Sequence, residues 1–247
     1  MTDAIQTQGL TKRYGDHDAL APIDLTIPTG QRVSLIGHNG SGKTTLIKML
    51  TGLLDPSAGT AAVAGHGMGS PEARAALSYL SDQPVFYDDL TVRQHLEYIA
   101  RLHHTEEWET HADWLIETVG LSERADDLPA TFSRGLKQKA AIAIAFVRPF
   151  ELMLIDEPFV GLDRAGRSAL LDLVAWAHDD GATLVVATHE LASVTSSDRL
   201  IALSDGRVIF DGDPADADPD SLAEGRFDRS GPEDDQIGES SDADKSG

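Results

Sequence analysis

Between an apolar run, Arg32-Val33-Ser34-Leu35-Ile36, and a helical face of Leu46, Ile47, Met49, Leu50 and Leu53 stands the octapeptide Gly37-His38-Asn39-Gly40-Ser41-Gly42-Lys43-Thr44. It matches G-x-x-x-x-G-K-[ST] at every fixed position, in the strand–loop–helix context that the pattern requires. Glycines let such a loop turn its N–H groups inward around a β-phosphate, and the helix that follows directs its positive end at the same anion. The nucleotide contacts expected are therefore Gly37, Asn39, Gly40, Ser41, Gly42, Lys43, Thr44 and Thr45. Lys43 adds charge to the β- and γ-phosphates, and the Thr44 hydroxyl is placed to ligate Mg²⁺. The side chains of His38 and Asn39 fill variable positions and receive no chemistry. Gly52 is positioned to close the helix.

Downstream, short apolar runs alternate with helical periods. Leu77–Leu80 reads as a strand. Val92, Leu96 and Ile99 mark one helix face, and Trp114, Leu115, Ile116 and Val119 mark another, within a helical middle segment between about residues 85 and 130. A nearly all-apolar helix at Ala140–Val147 leads to the strand Leu152–Ile155, a helix around Leu170–Ala177 and the strand Thr183–Ala187. Apolar strands alternating with helices predict an α/β fold, a mainly parallel sheet covered on both faces. Asp205-Gly206 between two apolar runs predicts a terminal β-hairpin.

The strand Leu152-Met153-Leu154-Ile155 delivers two adjacent carboxylates, Asp156 and Glu157, ahead of Pro158. Alternation along an extended backbone predicts that they point different ways. Asp156 suits the Mg²⁺ shell, and Glu157 suits a base or orienting group for water. Thr188-His189-Glu190 ends the next apolar strand, where ligands of parallel sheets gather, which makes His189 a candidate γ-phosphate contact. The other histidines, including His103, His104 and His111, form no metal-ligand pattern and are read as surface residues.

Composition narrows the function classes. With 41 acidic and 20 basic residues the net charge is −21, which repels nucleic-acid backbones. Only six of the basic residues are lysine, and an acidic, lysine-poor surface suits concentrated salt, so a salt-loving source is expected. No cysteine is present, which excludes disulfides, thiolate metal sites and cysteine nucleophiles. No apolar run reaches the ~20 residues of a membrane span. The first residues lack the charge and apolar pattern of a secretory signal. From Asp211 to Gly247 there are 13 acidic and three basic residues with few apolar ones, so residues 213–247 are expected to form a disordered acidic tail.

With these features in order, the chain resembles the ATP-binding subunits of ABC transporters over about residues 5–212. In Phe132-Ser133-Arg134-Gly135-Leu136-Lys137-Gln138 it has a counterpart of the family's L-S-G-G-Q signature, departing from it at Phe132, Arg134 and Leu136. The resemblance implies a P-loop NTPase (RecA-like) core with an N-terminal antiparallel β subdomain and an inserted helical subdomain at about 85–150. It implies that adenine stacks on Tyr14 and that Gln83 reaches Mg²⁺ and the water. Ser133 and Gly135 would grip ATP held by a second ATP-binding subunit, identical or not, and Asp163 of Gly161-Leu162-Asp163 would cross the dimer interface. It implies ATP hydrolysis that drives transport through a separate permease, with the chain cytoplasmic and peripheral on the inner face of the membrane. The segment Phe86–Leu102 is closer to drug or ABC-2 type exporters than to importers that depend on solute-binding proteins. Two rivals stay open at this point. A mechanical clamp in DNA repair or translation would carry coiled-coil insertions, twin cassettes or basic patches. A P-loop kinase would need an acceptor pocket and a lid in place of Ser133-Arg134-Gly135.

Overall fold

The computed structural model describes residues 3–189, 197–218 and 221–222. Two long strands, β1 (Asp3–Tyr14) and β2 (His17–Pro28), pair antiparallel, and β4 (Ala58–Val63) and β5 (His66–Gly67) extend them into a four-stranded antiparallel sheet of order β2-β1-β4-β5. The second sheet has six strands. Its order is β10 (Arg207–Gly212), β9 (Arg199–Ser204), β3 (Arg32–Ile36), β8 (Thr183–Ala187), β7 (Leu152–Asp156) and β6 (Leu77–Leu80). All neighbours in it run parallel except the β9–β10 hairpin, whose turn residues Asp205 and Gly206 both have positive φ, as the Asp-Gly pair predicts.

Alternation along β7 and β8 splits the core in two. Met153, Ile155, Leu184 and Val186 face one cluster, which they share with α3 (Val92–Leu102), α4 (Trp108–Thr118), α5 (Arg134–Phe146) and α6 (Arg164–Asp179). Leu152, Leu154, Val185 and Ala187 face the other, shared with α1 (Lys43–Leu50) and the antiparallel sheet. Both faces of these strands are dry, which is why they read as unbroken apolar runs. The short α2 (Pro71–Ala76) leads directly into β6.

Several sequence expectations need correction. Leu53 is not on the helical face: α1 stops at Leu50, Gly52 turns at φ 72°, and the Gly52 and Leu53 N–H groups donate to Met49 and Lys48 O, leaving Leu53 67% exposed. Trp114 lies outward at 42% exposure, stacked on His111, while Leu115, Ile116 and Val119 are buried. His95 is not a surface residue. It is 4% exposed, and its ring bridges Thr91 O (Nδ1, 2.8 Å) and the Tyr87 N–H (Nε2, 2.9 Å). Beyond residue 212, Pro214–Asp216 form a 3₁₀ turn capped by Asp213, and Leu222 packs at 2% exposure on Ile36, Leu200 and Ala202. The remainder of the expected tail, 223–247, lies outside the described residues.

Candidate functional site

The loop after β3 is shaped by a contact from far along the chain. Gly37 has φ 150°, and a Cβ there would sit 2.2 Å from Leu203 O on β9, so no other residue fits. The β9–β10 turn completes the mould: the Gly206 N–H donates to Ser41 O (3.0 Å) and the Ala21 N–H to Gly206 O (2.9 Å). The His38 ring reaches the same turn, with Nε2 3.4 Å from Ser204 Oγ and 3.9 Å from Asp205 Oδ1. This support was not readable from sequence, where His38 fills a variable position and Asp205-Gly206 announces only a turn.

Within the loop Lys43 is 5% exposed, and its ammonium donates to Gly37 O (2.6 Å) and His38 O (3.4 Å). It lies 3.6 Å from Glu157 Oε1. The other Glu157 oxygen, Oε2, is 2.7 Å from His189 Nδ1, so Lys43, Glu157 and His189 form a continuous polar chain across the ends of β3, β7 and β8. Glu157 and Asp156 do diverge, but strand alternation is not the cause. The strand ends at Asp156, and Glu157 turns into the left-handed region at φ 45°, anchored by its N–H on Ala187 O (2.8 Å). Such a conformation costs about 1–2 kcal/mol outside glycine, and such strain gathers at functional sites.

Asp156 is fully buried beside Thr44, and neither carboxylate oxygen has a hydrogen-bond partner among the described residues. Burial pushes its pKa up; the Thr44 hydroxyl, near enough to pull it down though outside ordinary hydrogen-bond geometry, opposes this, Asp82 and Glu157 raise it further, and Lys43 lowers it. Ser41 Oγ is also buried without a partner. A buried carboxylate beside the Thr44 hydroxyl suits a hard divalent cation that takes most of its ligands from phosphate and water. No cluster of three or more His, Asp or Glu able to hold a metal exists among the described residues.

The remaining candidates lie apart from this cluster. Gln83 is exposed after β6, bonded through its N–H to Ser81 Oγ and through Nε2 to Asp82 Oδ2 (3.3 Å), with no hydrogen bond to Lys43, Thr44, Asp156 or Glu157. Tyr14 is 54% exposed at the end of β1, with the Lys12 ammonium 5.1 Å from its ring centroid, so its face is not spent on core packing. Ser133 caps α5, accepting from the Leu136 N–H (3.4 Å). A Cβ on Gly135 would lie 2.5 Å from Gly161 O, so the signature turn and the Gly161 turn are pressed together. Asp163 caps α6 through the Gly166 N–H (2.7 Å) and pairs with Lys139 on α5 (3.0 Å); those two partners hold its carboxyl below the ordinary range, the N–H contributing most. Lys139 was missed in the sequence, although its i, i+4 relation to Gly135 places both on one helix face.

The comparisons with known proteins agree with this architecture. The pattern of the family described as ABC transporter (ABC_tran) matches residues 20–160. The SkfA peptide export ATP-binding protein SkfE of Bacillus subtilis (strain 168) is 35% identical over 213 residues, covering 84% of this chain and 88% of SkfE. Human ATP-binding cassette sub-family A member 2 is 36% identical over 83% of this chain, which spans 9% of that protein. Among solved structures, an ATP-binding subunit of an ABC transporter superposes with a TM-score of 0.81 at 33% identity, covering 86% of this chain and 91% of that one. The dimeric post-hydrolysis state of the ATP-binding cassette MJ0796, bound to ADP and Pi, superposes at 0.77 and 25% identity, covering 85% and 98%. A P-loop moulded by the terminal hairpin, facing a carboxylate held between lysine and histidine, thus sits in a chain that belongs to the ABC transporter family as one of its ATP-binding, ATP-hydrolysing subunits.

Proposed function

We propose that this chain works as one half of a head-to-tail pair that hydrolyses two ATP molecules and drives transport, in the export direction, through a separate membrane permease. The observation that carries the reading is the placement of Glu157: one oxygen lies against Lys43, the other against His189, beside the unpaired Asp156. In this reading the N–H groups of Gly37, Asn39, Gly40, Ser41, Gly42, Lys43, Thr44 and Thr45 wrap the β- and γ-phosphates, with adenine on Tyr14. A Mg²⁺ held by Thr44 and Asp156, with Gln83 swinging toward it, would neutralise charge developing on the phosphate oxygens. Glu157 orients and deprotonates the attacking water, and His189 holds that carboxylate in place while facing the γ-phosphate. Ser133 and Gly135 of one copy complete the phosphate grip of the other, with Asp163 near the seam.

Support for the pairing is the dimeric MJ0796 cassette, and support for export is the name of SkfE. No helix among the described residues is long and apolar enough to cross a membrane, so the reading needs a partner that is, with this chain peripheral on the cytoplasmic face. The net charge of −21 argues against a nucleic-acid partner. The segment after β6, including Phe86-Tyr87-Asp88-Asp89-Leu90, would receive a cytoplasmic helix of that permease. Glu157→Gln should lower turnover by about 10²–10⁴-fold and trap an ATP-loaded dimer visible by sedimentation. Undiminished hydrolysis by this variant removes the base assignment.

The acidic, lysine-poor composition further supports work in concentrated salt. Circular dichroism through a salt titration should show structure lost as salt is withdrawn, and a fold indifferent to salt overturns this part.

A further inference from the structure

A groove of about 660 Å³ lies between β6, the segment after it, α3 and α5. It has an apolar wall that includes Leu80, Phe86, Ile99 and Ile144, and Leu53 and Val85 stand at it, 67% and 94% exposed. An amphipathic helix laid in such a groove would bury its apolar face there. The charge of the groove is the unexpected part. Although the chain carries 41 acidic residues, no Asp or Glu lines it, whereas Arg74, His103 and Arg148 do.

Arg148 sets this polarity. It is 8% exposed, and its guanidinium donates to the main-chain carbonyls of Ala75 (2.8 Å), Pro149 (3.0 Å), Arg74 (3.2 Å) and Leu77. These bonds satisfy its donors without neutralising it, and no carboxylate pairs with it among the described residues. Burial accordingly pushes its pKa down to about 10, and burial together with the Arg148 charge holds His103 below the ordinary imidazole value. Arg74, exposed at the same groove, also has no ion-pair partner among the described residues. An uncompensated cation in a low-dielectric floor is costly unless something supplies the missing charge, and a buried charge is screened by salt far less than an exposed one.

We propose that this groove selects its occupant by charge: it receives an amphipathic helix of the membrane subunit that presents a carboxylate to Arg74 and the Arg148 end of the groove. This rests on the permease reading given above and adds the chemistry by which the right permease is told from a wrong one. A lysine at the same place on the helix would be repelled by both arginines, so the discrimination is attractive and repulsive at once.

The test uses the full chain co-expressed with the polytopic membrane proteins encoded beside it, and synthetic peptides of the cytoplasmic helices of whichever one co-purifies. Arg74→Glu should leave the basal ATPase of the isolated chain unchanged, since Arg74 touches none of the nucleotide machinery, and should weaken the binding of one peptide by about tenfold or more. The same peptide with its Glu or Asp changed to Lys should bind the wild type that much less tightly and should be rescued by Arg74→Glu. Because Arg148 variants risk the fold, the second measurement is salt dependence: binding of the acidic peptide should weaken with ionic strength more than binding of its Gln counterpart. If wild-type chain and permease co-purify but Arg74→Glu binds as before, or no charge swap restores it, the charge-selection proposal is overturned and the permease reading stands. If no membrane protein binds the wild type, the permease reading itself falls.

Discussion

Two glycine-bearing turns of this chain each open onto a helix N-terminus, and they are finished to different degrees. At Gly37–Lys43 the two ends of the turn, Gly37 and Ser41–Lys43, are buried and moulded by Leu203 and Gly206, and Lys43 is already braced by two carbonyls and Glu157. At Ser133–Gly135 the serine is exposed, its cap bond is 3.4 Å long, and the contacts made are with the neighbouring Gly161 turn. No hydrogen bond or ion pair among the described residues ties the second turn to the first. The first carries its catalytic carboxylates with it. The second offers main-chain donors with no carboxylate to follow them, as a surface meant for an anion carried by another molecule does.

The sharpest way to break this contrast is to disable the finished side. Lys43→Ala should reduce nucleotide affinity and turnover together, with turnover down by about 10³-fold, read by isothermal titration and phosphate release. Retained turnover would mean that the braced lysine is structural. A smaller effect should come from the unfinished side. Gly135→Ala brings a methyl within 2.5 Å of Gly161 O, so the two turns must part. We expect ATP affinity of the isolated chain to hold while turnover falls by about 10²-fold, the scale for a displacement of roughly 1 Å at a reacting group. If affinity falls as much as turnover, the turns are not separable and the comparison fails.

The smallest effect sharpens the description of the finished side. Burial disfavours the charge of the Asp156 carboxylate, so in nucleotide-free protein Asp156→Asn should raise stability by about 1–3 kcal/mol at neutral pH, read by denaturant unfolding. Its raised pKa fixes the sign: the native state holds the proton more tightly than the unfolded chain does, so that contribution is present in acid and lost as pH rises through the elevated value. The gain of the variant should therefore shrink on acidification. A gain that grows in acid contradicts the assignment.

What could be read in the sequence followed local rules. The P-loop spacing, the apolar strand leading to Asp156, the Asp-Gly hairpin and the unbroken apolar runs of β7 and β8 each depend on a few neighbouring residues. What could not be read depends on contacts between distant segments. Glu157 points as it does because its N–H binds Ala187 thirty residues on, not because strands alternate. His95 stands at i+3 from Val92 and i−4 from Ile99, on the buried face of α3, but that its ring accepts from the Tyr87 N–H of the preceding loop depends on how that loop folds back. Asp163 reads as an interface residue by resemblance, yet its carboxylate is engaged inside its own chain by Gly166 and Lys139. Leu53 is a local exception, since Gly52 ends α1 before it and leaves it exposed.

The dependence of the nucleotide loop on the last hairpin also bears on how the polypeptide matures. β3 is flanked by β8 and β9, whose residues follow it by about 150 positions or more, and the carbonyl that moulds Gly37 belongs to Leu203. Contacts of such sequence separation close slowly, and they cannot close at all on a ribosome that has not yet released residues 199–212. A growing chain has therefore exposed its glycine-rich sequence long before it owns a shaped phosphate cradle, and competence to consume ATP arrives with the final strands of the sheet.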